Sequence, residues 1–459
     1  MIALWFASGV VLHFVPYPEL SSVERLERSA KIDVSRVRVT PLAVLALDPT
    51  AKQMRLVDMA GRPAYVLESG DSDAVAASAE TGLPLTLSSG EARQVALTFQ
   101  RAIPIRIEGP LTYDQWTVAQ EYDPYRPFYR VTFADTAGTQ VYVSARTGEV
   151  LQLTTASQRI WNWLGANIHW IYFGPLRIHW SIWDRVVWWV SLTAVLSTAA
   201  GVLLGWIRFA DARRARRRGL TPFRNWLGWH HRLGLFAGTF VVTWIVSGWL
   251  SMDHGRLFPR GKPSGEQESR GQGRSLESIV QEVPLSRIRA CGDATEILFR
   301  AINSRPFLVA RGAGLAARVS WLDATDGESL SQIPVPWLIG GVRAAWPGQR
   351  IEDRGEVRQD SLYPLSEGVT AGTRLIHVAG RRPMDVYVDQ VSGRFVAVMD
   401  ARRKTYAWLY YALHTFKFPG LAANPNLRLV ALLGPLALGL AFSITGVVVA
   451  VLRLRATMQ

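Results

Sequence analysis

The chain lacks most of the features by which redox and metal proteins are recognised. One cysteine, Cys291, stands among 459 residues, so no internal disulfide and no thiolate metal cluster can form. No Cys-x-x-Cys-His occurs, which excludes covalently attached c-type haem. Gly-x-Gly-x-x-Gly is missing too, and with it the usual cradle for a flavin or nicotinamide. Acidic residues are scarce, 37 against 51 Lys and Arg, for a formal net charge of +14. The excess crowds one stretch: Arg208, Arg213, Arg214, Arg216, Arg217, Arg218 and Arg224. No aromatic or glycine-rich recognition pattern accompanies it, so no nucleic-acid partner is expected. A basic start and a small-residue cleavage site are both missing before Pro16-Tyr17-Pro18, so the N-terminus does not read as a cleaved signal peptide.

What is abundant is apolar. Hydrophobic residues make up 49% of the chain and 18 residues are Trp, a balance that suits a polytopic membrane protein. Residues 186–207, 229–250 and 429–452 are each long enough to cross a bilayer, which takes roughly 20 apolar residues. Residues 2–14 are apolar but too short to span alone. Short loops rich in Arg stay on the cytoplasmic side, so the loop 208–228 and the tail 453–459 are expected inside. Residues 15–157 and 251–403 are then periplasmic, and 158–185 and 404–428 are aromatic interfacial segments. A glycine-, serine- and arginine-rich stretch, 261–274, reads as a flexible linker.

The chain is also written twice. Val141, Tyr142, Val143 and Gly148 recur 245 positions on as Val386, Tyr387, Val388 and Gly393. The same offset carries Trp163 to Trp408, His169 to His414, Phe173 to Phe418, Gly201 to Gly446 and Arg208 to Arg453. Ser35-Arg36-Val37-Arg38 matches Ser286-Arg287-Ile288-Arg289 at an offset of 251, and Trp5 to Gly9 matches Trp244 to Gly248 at 239. A repeat of this kind is read before anything else. In the first outer segment Ser88 and Glu91 form a capping box ahead of an apolar helix. Alternating strands are expected at 103–107, 115–119, 128–133 and 139–144. Helix followed by antiparallel strands indicates an α+β domain.

The run Val141-Tyr142-Val143-Ser144-Ala145-Arg146-Thr147-Gly148-Glu149-Val150 resembles the closing strand–turn–strand of a PepSY domain, with Val386 to Gly393 a weaker second copy. The spans, with Trp5, Ser8-Gly9, His169 ahead of Phe173, His231-Arg232 and Ser247-Gly248, resemble the PepSY-associated transmembrane helix family. That family includes iron-regulated bacterial inner-membrane proteins, some similar to haem-bearing ferric-siderophore reductases.

Eight histidines are candidates for what sits between the halves. His169 and His414 are repeat-matched in aromatic surroundings, and two facing imidazoles can fill both axial positions of one b-type haem. His230 and His231 start the third span, about 100° apart on a helix. The family pattern of His before Arg favours His231 as a ligand near the opposite face, with His230 second. Its repeat partner would fall about eight residues before Met1, so the first span reads as truncated at its cytoplasmic end. A second haem depends on that partner. His13 is a weaker candidate for the outer haem. His179, His254 and His377 read as structural or interfacial.

The expected fold is a membrane bundle of four spans, the first truncated, in two parallel repeats. Each repeat carries an α+β PepSY-like periplasmic domain. The expected function is inner-membrane electron transfer through b-type haem to ferric iron in a siderophore, an oxidoreductase fed by a quinol or a cytoplasmic reductase. Apart from the lipid bilayer, the expected partner is the ferric siderophore. The competing reading is a haem-free membrane protein whose PepSY-like segments bind a peptide, a peptidase or another envelope protein. A transporter would need polar residues at mid-membrane, and only Pro435 interrupts the second and fourth spans.

Overall fold

Why the outer segments adhere is clearest from one strand pair. A computed structural model describes residues 1–70, 72–215, 219–253, 255–312, 315–321, 329–357, 369–370, 372–418 and 420–459. His254, Arg216, Arg217 and Arg218 lie outside the described residues. Strand β1 (Gln53–Asp58) turns through Ala60 and Gly61, both at positive φ, into β2 (Pro63–Glu68). Its counterpart β9 (Glu296–Ile302) turns through Asn303 and Ser304, again both at positive φ, into β10 (Arg305–Gly312). Paired left-handed residues suit tight hairpins, because their twist matches that of the strands. β1 and β9 then pair antiparallel, Leu56 opposite Ile297. With β3 (Val75–Ser78), β4 (Pro84–Leu85), β11 (Leu315–Trp321) and β12 (Ser329–Leu330) they form an eight-stranded sheet ordered β12-β11-β10-β9-β1-β2-β3-β4. The two outer segments thus share one sheet.

At this junction Arg55, 7% exposed, donates to Glu149 at 2.7 and 2.9 Å, to Glu296 at 2.9 Å and to Glu68 at 2.5 Å. Burial opposes the charge of Glu149, yet Arg55 and Arg25 together hold its carboxyl down at about 2. A buried charge stripped of its partner is costly, so this cluster ties both halves of the shared sheet to the turn after Ser144 that carries Glu149.

Each segment continues as a helix and a four-stranded antiparallel meander. Ser88 caps α2 (Ser89–Phe99) through the reciprocal box with Glu91, and Ala92, Ala96 and Phe99 bury against Val131, Phe133, Val141 and Val143. The strands are β5 (Pro104–Leu111), β6 (Phe128–Phe133), β7 (Gln140–Ser144) and β8 (Val150–Thr154). In the second copy, α5 (Val335–Ala345) covers β13 (Arg350–Glu356), β14 (Thr373–Ala379), β15 (Met384–Asp389) and β16 (Phe395–Asp400). Two local expectations differ. Residues 115–119 form turns, because the Asp114 carboxylate accepts from Trp116 N at 3.0 Å and draws the chain round. Within 261–274, Ser264 and Gln267 make a capping box and start a helix, Gly265–Gln272, whose Gly271 is buried against Gly341.

The four-span bundle is overturned. Among the described residues three helices are long and apolar enough to cross a membrane: α3 (Trp180–Arg214), α4 (Asn225–Ser251) and α6 (Pro425–Thr457). Helix α1 (Ile2–Phe14) has 13 residues, about 20 Å of rise against a hydrocarbon core of about 30 Å. It packs on α6, with Phe6 set against Gly439. Small residues at such contacts let helices approach closely. Among the described residues the architecture is therefore three long apolar helices and the short α1, together with three antiparallel sheets, the helix-and-sheet segments being α+β.

Candidate functional site

Three histidines sit in the same kind of cradle. On α1 the Ser8 hydroxyl donates to the Trp5 carbonyl at 3.2 Å, which leaves its oxygen to accept from His169 Nδ1, also at 3.2 Å. On α4 Ser247 donates to Trp244 O at 3.2 Å and stands 3.2 Å from His414 Nδ1. On α6 Thr445 donates to Phe442 O at 2.6 Å and stands 3.0 Å from His230 Nδ1. In each case the network places the proton on Nδ1 and leaves the Nε2 lone pair for another partner, the arrangement of a metal-ligating imidazole.

A glycine follows each hydroxyl. A Cβ on Gly9 would come 3.3 Å from His169 Cε1, one on Gly248 would come 3.0 Å from His414 Cε1, and one on Gly446 would come 3.1 Å from His230 Cε1. The hydroxyl–glycine pair is therefore a socket: one residue fixes the ring's rotation and the next admits its edge. The repeat-equivalent of Thr445-Gly446 is Ala200-Gly201, where a Cβ on Gly201 would meet nothing within 4 Å.

The structure brings His169 and His414 together. His169 closes the short helix Ala166–His169, and His414 follows the π-helical turn Trp408–Ala412. Two residues later, Ile171 and Phe416 both adopt positive φ, 53° and 54°, a conformation unusual for such side chains. The ring centroids lie 6.1 Å apart, tilted by 57°. Metal–imidazole bonds run about 2.0 Å. Two in line, plus about 1.1 Å from each nitrogen to its ring centre, set the centres roughly 6.2 Å apart. The observed centroid separation of 6.1 Å is close to that figure. Burial lowers the pKa of His169 to about 4 and, with the neighbouring His169 adding to it, that of His414 to about 3. Both rings are neutral at physiological pH and able to ligate.

His230 and His231 face different ways. His230 stacks on Phe442 with centroids 4.5 Å apart. His231 Nε2 donates to the Gly205 carbonyl of α3 at 2.9 Å, and its buried Nδ1 has no hydrogen-bond partner among the described residues. The favoured member of the sequence reading is thus occupied at Nε2, whereas the secondary one sits in the socket. Thr445 was missed from the sequence, although Thr445-Gly446 is the third hydroxyl–glycine pair on an apolar helix, after Ser8-Gly9 and Ser247-Gly248.

The other histidines lie elsewhere. His13 packs on Phe14, and its pKa is lowered by burial and by Arg428. His179 caps α3. His377 is 2.7 Å from the Asp385 carboxylate. Among the described residues no group of three or more His, Cys, Asp or Glu side chains is placed to hold a bare metal ion.

A family model described as PepSY-associated TM region matches residues 59–453 of the chain. No curated protein matches it.

Proposed function

The chain belongs to the PepSY-associated TM family, and from that premise we propose that it is a b-type haem electron-transfer protein of the bacterial inner membrane, acting as a ferric-iron reductase on iron held in a siderophore. The observation that carries this reading is the His169–His414 pair, 6.1 Å apart in matched sockets with both Nδ1 atoms engaged. A haem held by two imidazoles supplies a one-electron carrier with no vacant iron position.

The chain's own residues supply the rest. Ser8 and Ser247 hold the ring rotations, Gly9 and Gly248 make room for the ring edges, and burial keeps the imidazoles unprotonated. His230, on Thr445-Gly446, is assigned as an iron ligand nearer the arginine-rich loop. His231 is assigned to anchoring α4 on α3 through Gly205. Loops rich in Arg favour the cytoplasmic side, so in this reading electrons enter near His230 from a quinol or a cytoplasmic reductase. They leave beside the PepSY sheets in the periplasm.

The test is haem content per chain, measured on detergent-purified protein expressed with ample haem. About one haem or more per chain is expected. A colourless, folded protein would favour the haem-free reading, in which the PepSY sheets bind a peptide or an envelope protein.

A further inference from the structure

A row of aromatic rings runs outward from the His169 segment to a cavity on the PepSY side. Trp170, next to His169, lies 6.0 Å from Tyr17 by ring centroid. Tyr17 lies 5.9 Å from Trp116, and Trp116 lies 6.3 Å from Trp163. The row is fixed in place. Tyr17 donates to the Gln115 carbonyl at 2.8 Å, and the Gln115 amide clamps Tyr172 O at 2.6 Å and Gly174 N at 2.8 Å.

Trp116 and Trp163 end the row as walls of a cavity of about 430 Å³, completed by Ile160, Arg130, Gln140 and Arg159. Small-molecule sites are of this size and kind, apolar walls with a few convergent polar groups. Its two cations differ. Arg130 is neutralised by Glu108 and Asp114. Arg159 hydrogen-bonds only neutral oxygens, Thr154 Oγ1 at 2.9 Å and the carbonyls of Gly138 at 2.8 Å and Thr154 at 3.3 Å. No carboxylate pairs with it among the described residues. A half-buried guanidinium with no carboxylate in hydrogen-bonding reach, offset only by the longer-range fields of Asp114 and Asp135, favours an anion with an apolar face when two indoles stand beside it.

We propose that this cavity is the docking site for the electron acceptor, an anionic ferric chelate whose apolar arm lies against Trp116 and Trp163 while Arg159 takes its negative charge. The inference rests on the proposed function for its redox step. Haem held by His169 and His414 would supply the one electron that converts the docked Fe(III) to Fe(II). No bond in the ligand is made or broken, and no proton moves. The weaker hold of the ligand on Fe(II) then releases the metal. The ring row gives that electron a continuous packed medium between the His169 segment and the cavity, and none of the rings needs to be oxidised or reduced.

The test uses the full chain in detergent and the tris complex of 8-hydroxyquinoline-5-sulfonate. Its gallium form is redox-inert and fluorescent, so anisotropy reads docking whether or not haem is present. Its ferric form reads reoxidation of dithionite-reduced protein. Saturable gallium-chelate binding is expected, weakened about tenfold or more by Arg159→Gln. Ile160→Glu, which adds an anion at a position 64% exposed, is expected to weaken binding similarly without touching the fold. In both variants reoxidation by the ferric chelate slows while the haem spectrum is unchanged. Wild-type binding and reoxidation in both variants would overturn the proposal. So would variants that change only co-purified anionic phospholipid, which would make Arg159 a headgroup contact. Protein that lacks haem yet binds the gallium chelate through Arg159 would leave the cavity standing and defeat the haem reading alone.

Discussion

Ile171 and Phe416 stand 245 positions apart and hold the same left-handed backbone conformation, φ 53° and 54°. Each lies two residues after a histidine, His169 or His414, whose rings meet across the molecule at 6.1 Å. A non-glycine residue in this region costs of order 1–3 kcal/mol and persists where the surroundings demand it. That both copies accept the cost at the same place ties the strain to the presentation of the two imidazoles.

The sockets make a graded prediction. Gly248→Ala places a Cβ 3.0 Å from His414, and Gly9→Ala places one 3.3 Å from His169. Gly248→Ala is expected to weaken haem retention more than Gly9→Ala, with roughly a tenfold loss for the tighter site, consistent with the weight of outer-shell contacts. Haem loss to apomyoglobin measures it, and equal retention in both variants would remove the socket from the account.

The hydroxyls make a second. Ser247→Ala removes the oxygen that accepts from His414 Nδ1. An ordinary hydrogen bond contributes about 1 kcal/mol, so the expected effect is a several-fold drop in haem affinity together with a shift of midpoint potential. Ser247→Thr keeps the oxygen and is expected to restore both. A potential that does not move would reduce Ser247 to a packing residue.

His230→Ala is expected to lower haem content per chain, and His231→Ala to leave it unchanged while lowering thermal stability. The second histidine's bond is to the Gly205 carbonyl, worth about 1 kcal/mol. Pyridine haemochrome assay and thermal melts separate the two effects. The opposite pattern would return the ligand role to His231.

The Arg55 cluster predicts acid behaviour. Glu149 is held near 2 against an ordinary value of about 4.3. A depressed carboxyl stabilises the fold above its unfolded value, and that stability is lost as pH falls from about 4.3 through about 2. The loss amounts to roughly 3 kcal/mol. Glu149→Gln should lower stability at pH 7 and flatten its dependence between pH 4 and 2, as read by urea unfolding. An unchanged slope would deny the coupling.

Much of this was legible because the chain repeats itself. The 245-residue offset pairs His169 with His414, and a capping box announces α2 before Ala92 and Ala96 are known to be buried. Local pattern fails where distant residues decide. The β1–β9 pairing joins strands some 240 residues apart, and nothing in either strand alone names its partner. Neighbours on a helix differ by about 100°, so the packing of α4 on α6 and α3 decides that His230 meets Thr445 while His231 meets Gly205. The four-span expectation rested on the repeat match of α1 to α4 and not on the 13 residues of α1 itself.

The central claim is that His169 and His414 hold one haem between them. Its most direct test is the dithionite-reduced spectrum of His169→Ala and of His414→Ala, each compared with wild type at equal protein concentration. The account predicts that either substitution removes the same chromophore and leaves the same remainder. Loss from only one variant, or different spectral components lost from the two, would contradict it.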